Sequence, residues 1–172
     1  MTAPILETDR LTLEPLSAAH AEPLYAIYRQ PGVGRFLITR PTTRHEFERV
    51  FARALQFEAS HGMWAIVDKA SAAIVGRIGF FAFGETARPE LAFLLAKSHW
   101  GRGLATEASR TCLRQAFERR AWEEVIALVR PENSAAIRVL DKLRLTPERT
   151  LTLATQPAIL YQLSRSNYLS FV

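Results

Sequence analysis

The sequence predicts an α/β (α+β) fold, a mixed central sheet flanked by helices, on three observations. "MWAIVD" (residues 63–68) and "AAIVGRIGFFAFG" (residues 72–84) flank the short polar "KAS", the pattern of a β-hairpin. "PELAFLLA" (residues 89–96), a helically spaced stretch from about residue 103 to 121, and "VIALV" (residues 125–129) follow in the order strand, helix, strand. That order implies a right-handed parallel crossover. Where the first of these strands gives way to the helix stands "HWGRGLATEA" (residues 99–108), two glycines around one arginine, in a part of a mixed sheet where anionic ligands commonly bind.

The elements read in order as follows. "RLTLEPL" (residues 10–16) alternates Leu11 and Leu13 with polar neighbours, a strand ending at Pro15. Ser17 suits the N-cap of a helix carrying Ala21, Leu24, Ala26 and Ile27, and "QPGVG" (residues 30–34) breaks it. A second helix covers about residues 43–60, where Phe47, Val50, Phe51, Ala54, Leu55 and Phe57 keep helical spacing, and "HGM" stops it. The hairpin and the strand after the loop at residues 85–88 are antiparallel neighbours. The following helix carries Ala105, Ala108, Cys112, Leu113 and Ala116 on one face and Glu107, Arg110, Arg114 and Glu118 on the other. "VIALV" is too short and too uniformly apolar for anything but a buried strand. "ENSAAIRVLDKL" (residues 132–143) makes another helix, capped near Asn133 or Ser134, before a last pair of strands around residues 151–153 and 159–163. No repeat, low-complexity stretch or linker interrupts the pattern.

A length of 172 residues fits one domain, residues 1–172, at roughly 150 residues per domain. The longest apolar runs fall far short of the roughly 20 residues that span a bilayer. "MTAPILETDRL" lacks the basic and apolar regions of a signal peptide, and the single Cys112 excludes an internal disulfide; both point to the cytoplasm. Lysine and arginine (22) exceed the acidic residues (17), a net charge of +5. That balance suits a polyanionic ligand, but no dense basic run indicates nucleic acid.

A glycine pair can simply turn the chain. It can also let backbone N–H groups approach an anion at a helix N-terminus. "GRGLAT" lacks the third glycine of a dinucleotide fingerprint, and no Gly-Lys-Ser/Thr marks a P-loop. "WGRGLATEA" resembles the acyl-CoA pyrophosphate loop of the GNAT superfamily of N-acetyltransferases, with the pattern Q/R-x-x-G-x-G/A. Trp100 stands in the Q/R place, Gly103 is the first glycine and Ala105 takes the G/A place. Trp followed by Gly101 is similar to the branch that includes ribosomal-protein alanine and serine N-acetyltransferases. "TDRLTLEPL" resembles that branch's opening strand, "ELAFLL" its E-[LIV]-[GA]-[YF] strand, and "RPENSAAIRVLDKLRL" its N-x-x-S-x-x-V-L-E-K-L-G-F segment. The resemblance covers nearly the whole chain. It departs at Glu14, where the branch has Arg, at Ala136, where it has Ser, and at Arg144 and Leu145 in place of Gly-Phe.

The resemblance implies a GNAT-like fold with splayed parallel strands, acetyl-CoA as cosubstrate, an amine acceptor and no metal. Trp100 and the backbone of Gly101, Arg102, Gly103, Leu104, Ala105 and Thr106 would surround the pyrophosphate, where small residues keep the phosphates close. Leu91, Phe93, Leu94 and Leu95 would pair with the pantetheine arm as an added strand does, beside the strand at residues 125–129. Asn133 resembles the Asn that touches the pantetheine, and it also suits a helix N-cap. Glu90 is the candidate base, directly or through water; its plain alternative is a surface carboxylate or loop anchor. The backbone N–H of Phe93 or Leu94 could polarise the thioester carbonyl. Residues 134–143 hold no Tyr, and Tyr161 and Tyr168 lie outside the family's motif, which leaves the acid unassigned or water.

Other residues read more plainly. Lys97 and Arg102 read as solvated surface before phosphate ligands. Cys112 sits on an apolar face with no paired His and reads as core, not as an acyl-cysteine nucleophile. His20, His45, His61 and His99 show no ligand spacing. Trp64, Phe80, Phe81 and Phe83 read as core and sheet surface, those near strand ends as walls of an acceptor pocket. The family places acceptor contacts in the loop at residues 29–37. The resulting expectation is acetyl transfer to a primary amine by direct attack in a ternary complex; the alternative is a non-catalytic acyl-CoA sensor or scaffold. Protein N-terminus, amino acid, polyamine and antibiotic amine all remain open as acceptors, and so does a homodimer.

Overall fold

Alternation in the apolar strands decides which layer lies on which face of the sheet. In β3 (Met63–Asp68), Trp64 and Ile66 join one core cluster while Met63 and Ala65 join the other, as a period of two requires. The computed structural model, which describes residues 2–172, has eight strands in the order β1-β2-β3-β4-β5-β6-β8-β7. They are β1 (Leu6–Glu7), β2 (Leu11–Pro15), β3, β4 (Ala73–Phe83), β5 (Arg88–Leu95), β6 (Glu124–Val129), β7 (Thr146–Leu153) and β8 (Gln156–Ser164). Every neighbouring pair is antiparallel except β5 and β6, which are parallel.

On one face lie α1 (Ala21–Tyr28) and α2 (Arg44–His61), packed through Leu24, Phe47 and Ala54 onto Met63 and Leu94. The other face carries α3 (Leu104–Arg114) and α4 (Ser134–Lys142), where Ala108, Cys112 and Leu140 meet Trp64, Ile78 and Phe80. Thr43 caps α2, its side chain accepting from the Glu46 N–H while Glu46 reaches back to the Thr43 N–H, a capping box. Gly62 ends α2 at φ +90° under the Trp64 ring, which leaves no room for a Cβ.

Several details depart from the sequence-based expectation. The helix beginning at Leu104 ends at Arg114 and widens into a π-turn over Gln115–Arg119. Its buried face also includes Leu104, Thr106 and Ser109. The final strands run over Thr146–Leu153 and Gln156–Ser164, longer than read, because β7 is almost wholly exposed and shows no alternation. The two-residue β1 and the short α5 (Arg165–Leu169) escape pattern reading altogether. Arg144 stops α4 in the left-handed region at φ +64°. Leu145 N–H donates to Leu140 O and Arg144 N–H to Asp141 O, a Schellman closure in which Arg takes the place usually given to Gly.

Candidate active site

The site is built where β5 and β6 part. They pair only at Glu90 and Ile126, so the remainder of β5 runs free of its parallel neighbour. Its other edge is paired with β4 from Arg88 to Leu95. The direction of its peptide groups follows from two contacts. Leu94 O lies on the β4 side against Gly76, and Ala96 N–H donates to Val75 O at 2.7 Å. Because backbone groups alternate along a strand, those of Leu91, Phe93 and Leu95 face the gap. Leu95 O is already taken by Trp100 Nε1 at 2.8 Å. Phe93 therefore presents its N–H and C=O to the gap, whereas the Leu94 N–H is turned to β4 and cannot serve there.

The gap continues into a cavity of about 810 Å³. Glu90, Leu91, Phe93, Leu94 and Leu95 form one wall, and Ala127, Leu128 and Val129 of β6 form the facing one. The head of α3 closes the end with Gly101, Gly103, Leu104, Ala105 and Thr106, beside Trp100 and Asn133. Of the residues expected at the site, Arg102 alone does not border the cavity; it is exposed. Gly101 and Gly103 have φ of +72° and +77°, a region glycine enters at no steric cost. Gly103 is the N-cap of α3, so the first N–H groups of this 11-residue helix have no intrahelical partner and point at the cavity's end. Asn133 caps α4 by accepting from the Ala136 N–H at 3.1 Å, while still bordering the cavity.

A clamp not anticipated from the sequence holds the glycine loop. Arg10 Nη1 donates to Arg102 O at 2.9 Å, and Arg10 Nε and Nη2 reach Glu107 Oε2 at 2.7 and 2.6 Å. Thr8 Oγ1 and the Arg10 N–H donate to Glu107 Oε1 at 2.6 and 3.0 Å. Burial pushes the Glu107 carboxyl up, but the donors from Thr8 and Arg10 outweigh it and hold the group below its ordinary range. The available clue was an acidic residue in the first turn of a helix.

Glu90 is partly buried. Burial pushes its carboxyl up to about 7, against the pull of the Arg53 and Arg77 charges. No tyrosine borders the cavity among the described residues. Tyr168 Oη donates to Glu118 Oε1 at 2.8 Å, Tyr28 Oη accepts from Arg77 Nε at 2.7 Å, and Tyr161 is buried. The loop after α1 supplies Gly32, Val33, Phe36 and Leu37, continuing to Ile38 and Thr39, and β4 adds Phe81 and Phe83. Trp64 and Phe80 are core. Cys112 is wholly buried, and burial pushes its thiol up. Among the described residues no group of three His, Cys, Asp or Glu is placed to hold a metal ion, and no helix is long and apolar enough to cross a membrane.

Comparison with known proteins gives the geometry a context. The acetyltransferase (GNAT) domain family matches residues 10–146. The uncharacterized N-acetyltransferase p20 of Bacillus licheniformis is 28% identical over 150 residues, covering 85% of this chain and 84% of that protein. The crystal structure of an acetyltransferase from Agrobacterium tumefaciens superposes with a TM-score of 0.79 at 25% identity, covering 95% of each chain. That of the ribosomal-protein-S5-alanine acetyltransferase of Vibrio fischeri has a TM-score of 0.78 at 14% identity, covering 96% of this chain and 99% of that one, a likeness of fold.

Proposed function

We propose, from the premise that the chain belongs to the GNAT acetyltransferase family, that it transfers an acetyl group from acetyl-CoA to a primary amine by direct attack within a ternary complex. The whole chain, residues 1–172, acts as one such domain. The observation that carries this reading is the β5–β6 gap, which starts at a carboxylate and ends at a helix N-terminus with two glycines of positive φ. A thioester with a long amide-bearing arm and a pyrophosphate matches that sequence of groups: arm along the strand edge, anion at the helix head.

The residues present suit the chemistry. An amine reaches the site as ammonium and must lose a proton before its nitrogen attacks the thioester carbon. Glu90, with a carboxyl near 7, is matched to that proton transfer at neutral pH. The Phe93 N–H is placed to donate to the carbonyl oxygen as negative charge grows on it. As the new C–N bond forms the C–S bond breaks, and the nitrogen's second proton passes to the departing thiolate. With no tyrosine among the described residues bordering the cavity, a water molecule relays it. Arg10 and Glu107 serve by holding the loop rather than by touching reacting atoms.

The experiment is a steady-state thiol-release assay with acetyl-CoA and a library of amines, with the products identified by mass. Acceptor-dependent thiol release with formation of the N-acetyl product is expected. Saturable acetyl-CoA binding without release for any amine would leave a sensor or scaffold.

A further inference from the structure

The acceptor half of the cavity carries positive charge that the chain does not neutralise. Arg77, in β4, is only 7% exposed. Its Nε is fixed by Tyr28 Oη, and its Nη1 is buried without a hydrogen-bond partner. Arg53, from α2, borders the same space. The two guanidinium carbons lie 5.4 and 5.6 Å from the centre of the Phe81 ring, and Phe81 stands opposite Glu90 in the β4–β5 register. Glu90 feels both arginines through charge alone, with no hydrogen bond from either. Among the described residues it is also the only acidic one bordering the cavity, against Arg53, Arg77, Arg138 and Lys142. The last two belong to α4, on the opposite face of the sheet from α2, and so to the half that contains the head of α3.

A buried guanidinium without a counterion is strongly destabilising, and a planar fork of donors is the usual partner of a carboxylate. We propose that the acceptor is an amino acid, a primary amine carrying its own carboxylate, which Arg77 and Arg53 hold while the amine faces Glu90. The inference rests on the acetyl-transfer reading and chooses among its acceptors. A polyamine would bring cations against two guanidinium groups and only one carboxylate. A peptide N-terminus would offer an amide where the arginines ask for an anion. Phe36, Leu37, Val50 and Phe81 give an apolar side chain a place to lie.

The test compares matched acceptors with acetyl-CoA: α-, β- and γ-amino acids, the carboxamide of each, and spermidine. The carboxylate form should exceed its carboxamide in kcat/KM by about 10- to 100-fold, the worth of a charge-assisted pair. Arg53→Gln, on an exposed helix position, should bring that ratio toward one. Arg77→Gln should do the same, but Arg77 is bonded to Tyr28, so Arg53 is the safer variant for folding. A second arm needs no turnover: calorimetric binding of N-acetyl amino acids and of their amides to the protein with CoA. Preference for the acids, lost in Arg53→Gln, supports the assignment even if no acceptor releases thiol, in which case only the catalytic reading falls. Thiol release that favours carboxamides, peptides or spermidine overturns the assignment and leaves acetyl transfer standing. Equal binding of acids and amides without turnover also overturns it.

Discussion

Glu90 is the last residue of β5 paired to β6, and burial there outweighs the pull of two guanidinium charges on its carboxyl. If it takes the amine proton, Glu90→Gln should lower kcat by about 10²- to 10⁴-fold near neutral pH with little change in acetyl-CoA affinity, and alkaline pH should partly restore the rate. A kcat unchanged from pH 6 to 10 would remove Glu90 from the mechanism. The same residue makes a stability prediction. Its carboxyl rises from 4.5 to about 7 on folding, so the native state binds the extra proton between those values. The stability it contributes is full below about pH 4.5 and is lost as pH rises through 7. Relative to the wild type, Glu90→Gln should therefore gain up to about 3 kcal/mol between pH 5 and pH 8, read by urea unfolding at each pH; equal differences at both would contradict it. That Glu90 and the two glycines border one cavity was anticipated through the resemblance carried by two short segments, "ELAFLL" and "WGRGLATEA". Arg77 was not: a lone Arg in an apolar strand carries no local pattern, and only the packing of α1 puts the Tyr28 hydroxyl against it.

At the scale of elements, the head of α3 is positioned by the β1–β2 corner rather than by its own sequence. Glu107→Ala removes the partner of Arg10 and Thr8. It should cost about 1 kcal/mol of stability, the pair being partly exposed. Acetyl-CoA binding should weaken as the glycine loop loosens; calorimetry showing unchanged affinity would make the clamp purely structural. Gly103→Ala should likewise weaken binding while the chain stays folded. A Cβ there meets nothing closer than Arg10 Nη2 at 3.7 Å, so the cost to the free protein is about 1 kcal/mol of left-handed strain. Hairpins, caps and the amphipathic faces of the helices were readable because their periods are local. The parting of β5 from β6 was reached through resemblance alone, since a register that joins residues as far apart in the chain as Glu90 and Ile126 leaves no local period. β7 was under-read because a strand exposed on both faces has no apolar alternation to display.

For the whole molecule, ligand binding should register as global stability. At 100 times its dissociation constant acetyl-CoA adds about 2.7 kcal/mol, which for a chain of 172 residues is a Tm rise of roughly 5 to 10 °C. NAD and ATP should shift Tm little, because neither offers a thioester arm to the strand edge; equal shifts from all three would reduce the loop to a general anion site. Cys112→Ser should keep turnover, allowing for a modest packing cost, whereas an acetyl group trapped on Cys112 would show a covalent route.

That lone thiol has a use outside the chemistry. Cys112 lies in α3, two turns beyond the glycine loop, wholly buried against the sheet and the only sulfhydryl in the chain. A thiol reagent can reach it only when the helix lifts away, so each modified molecule records one opening event as a single step in mass. The modification rate under native conditions thus measures how often α3 lifts off the sheet, and its slowing with added acetyl-CoA would measure, without any label, how firmly the proposed ligand holds that helix in place.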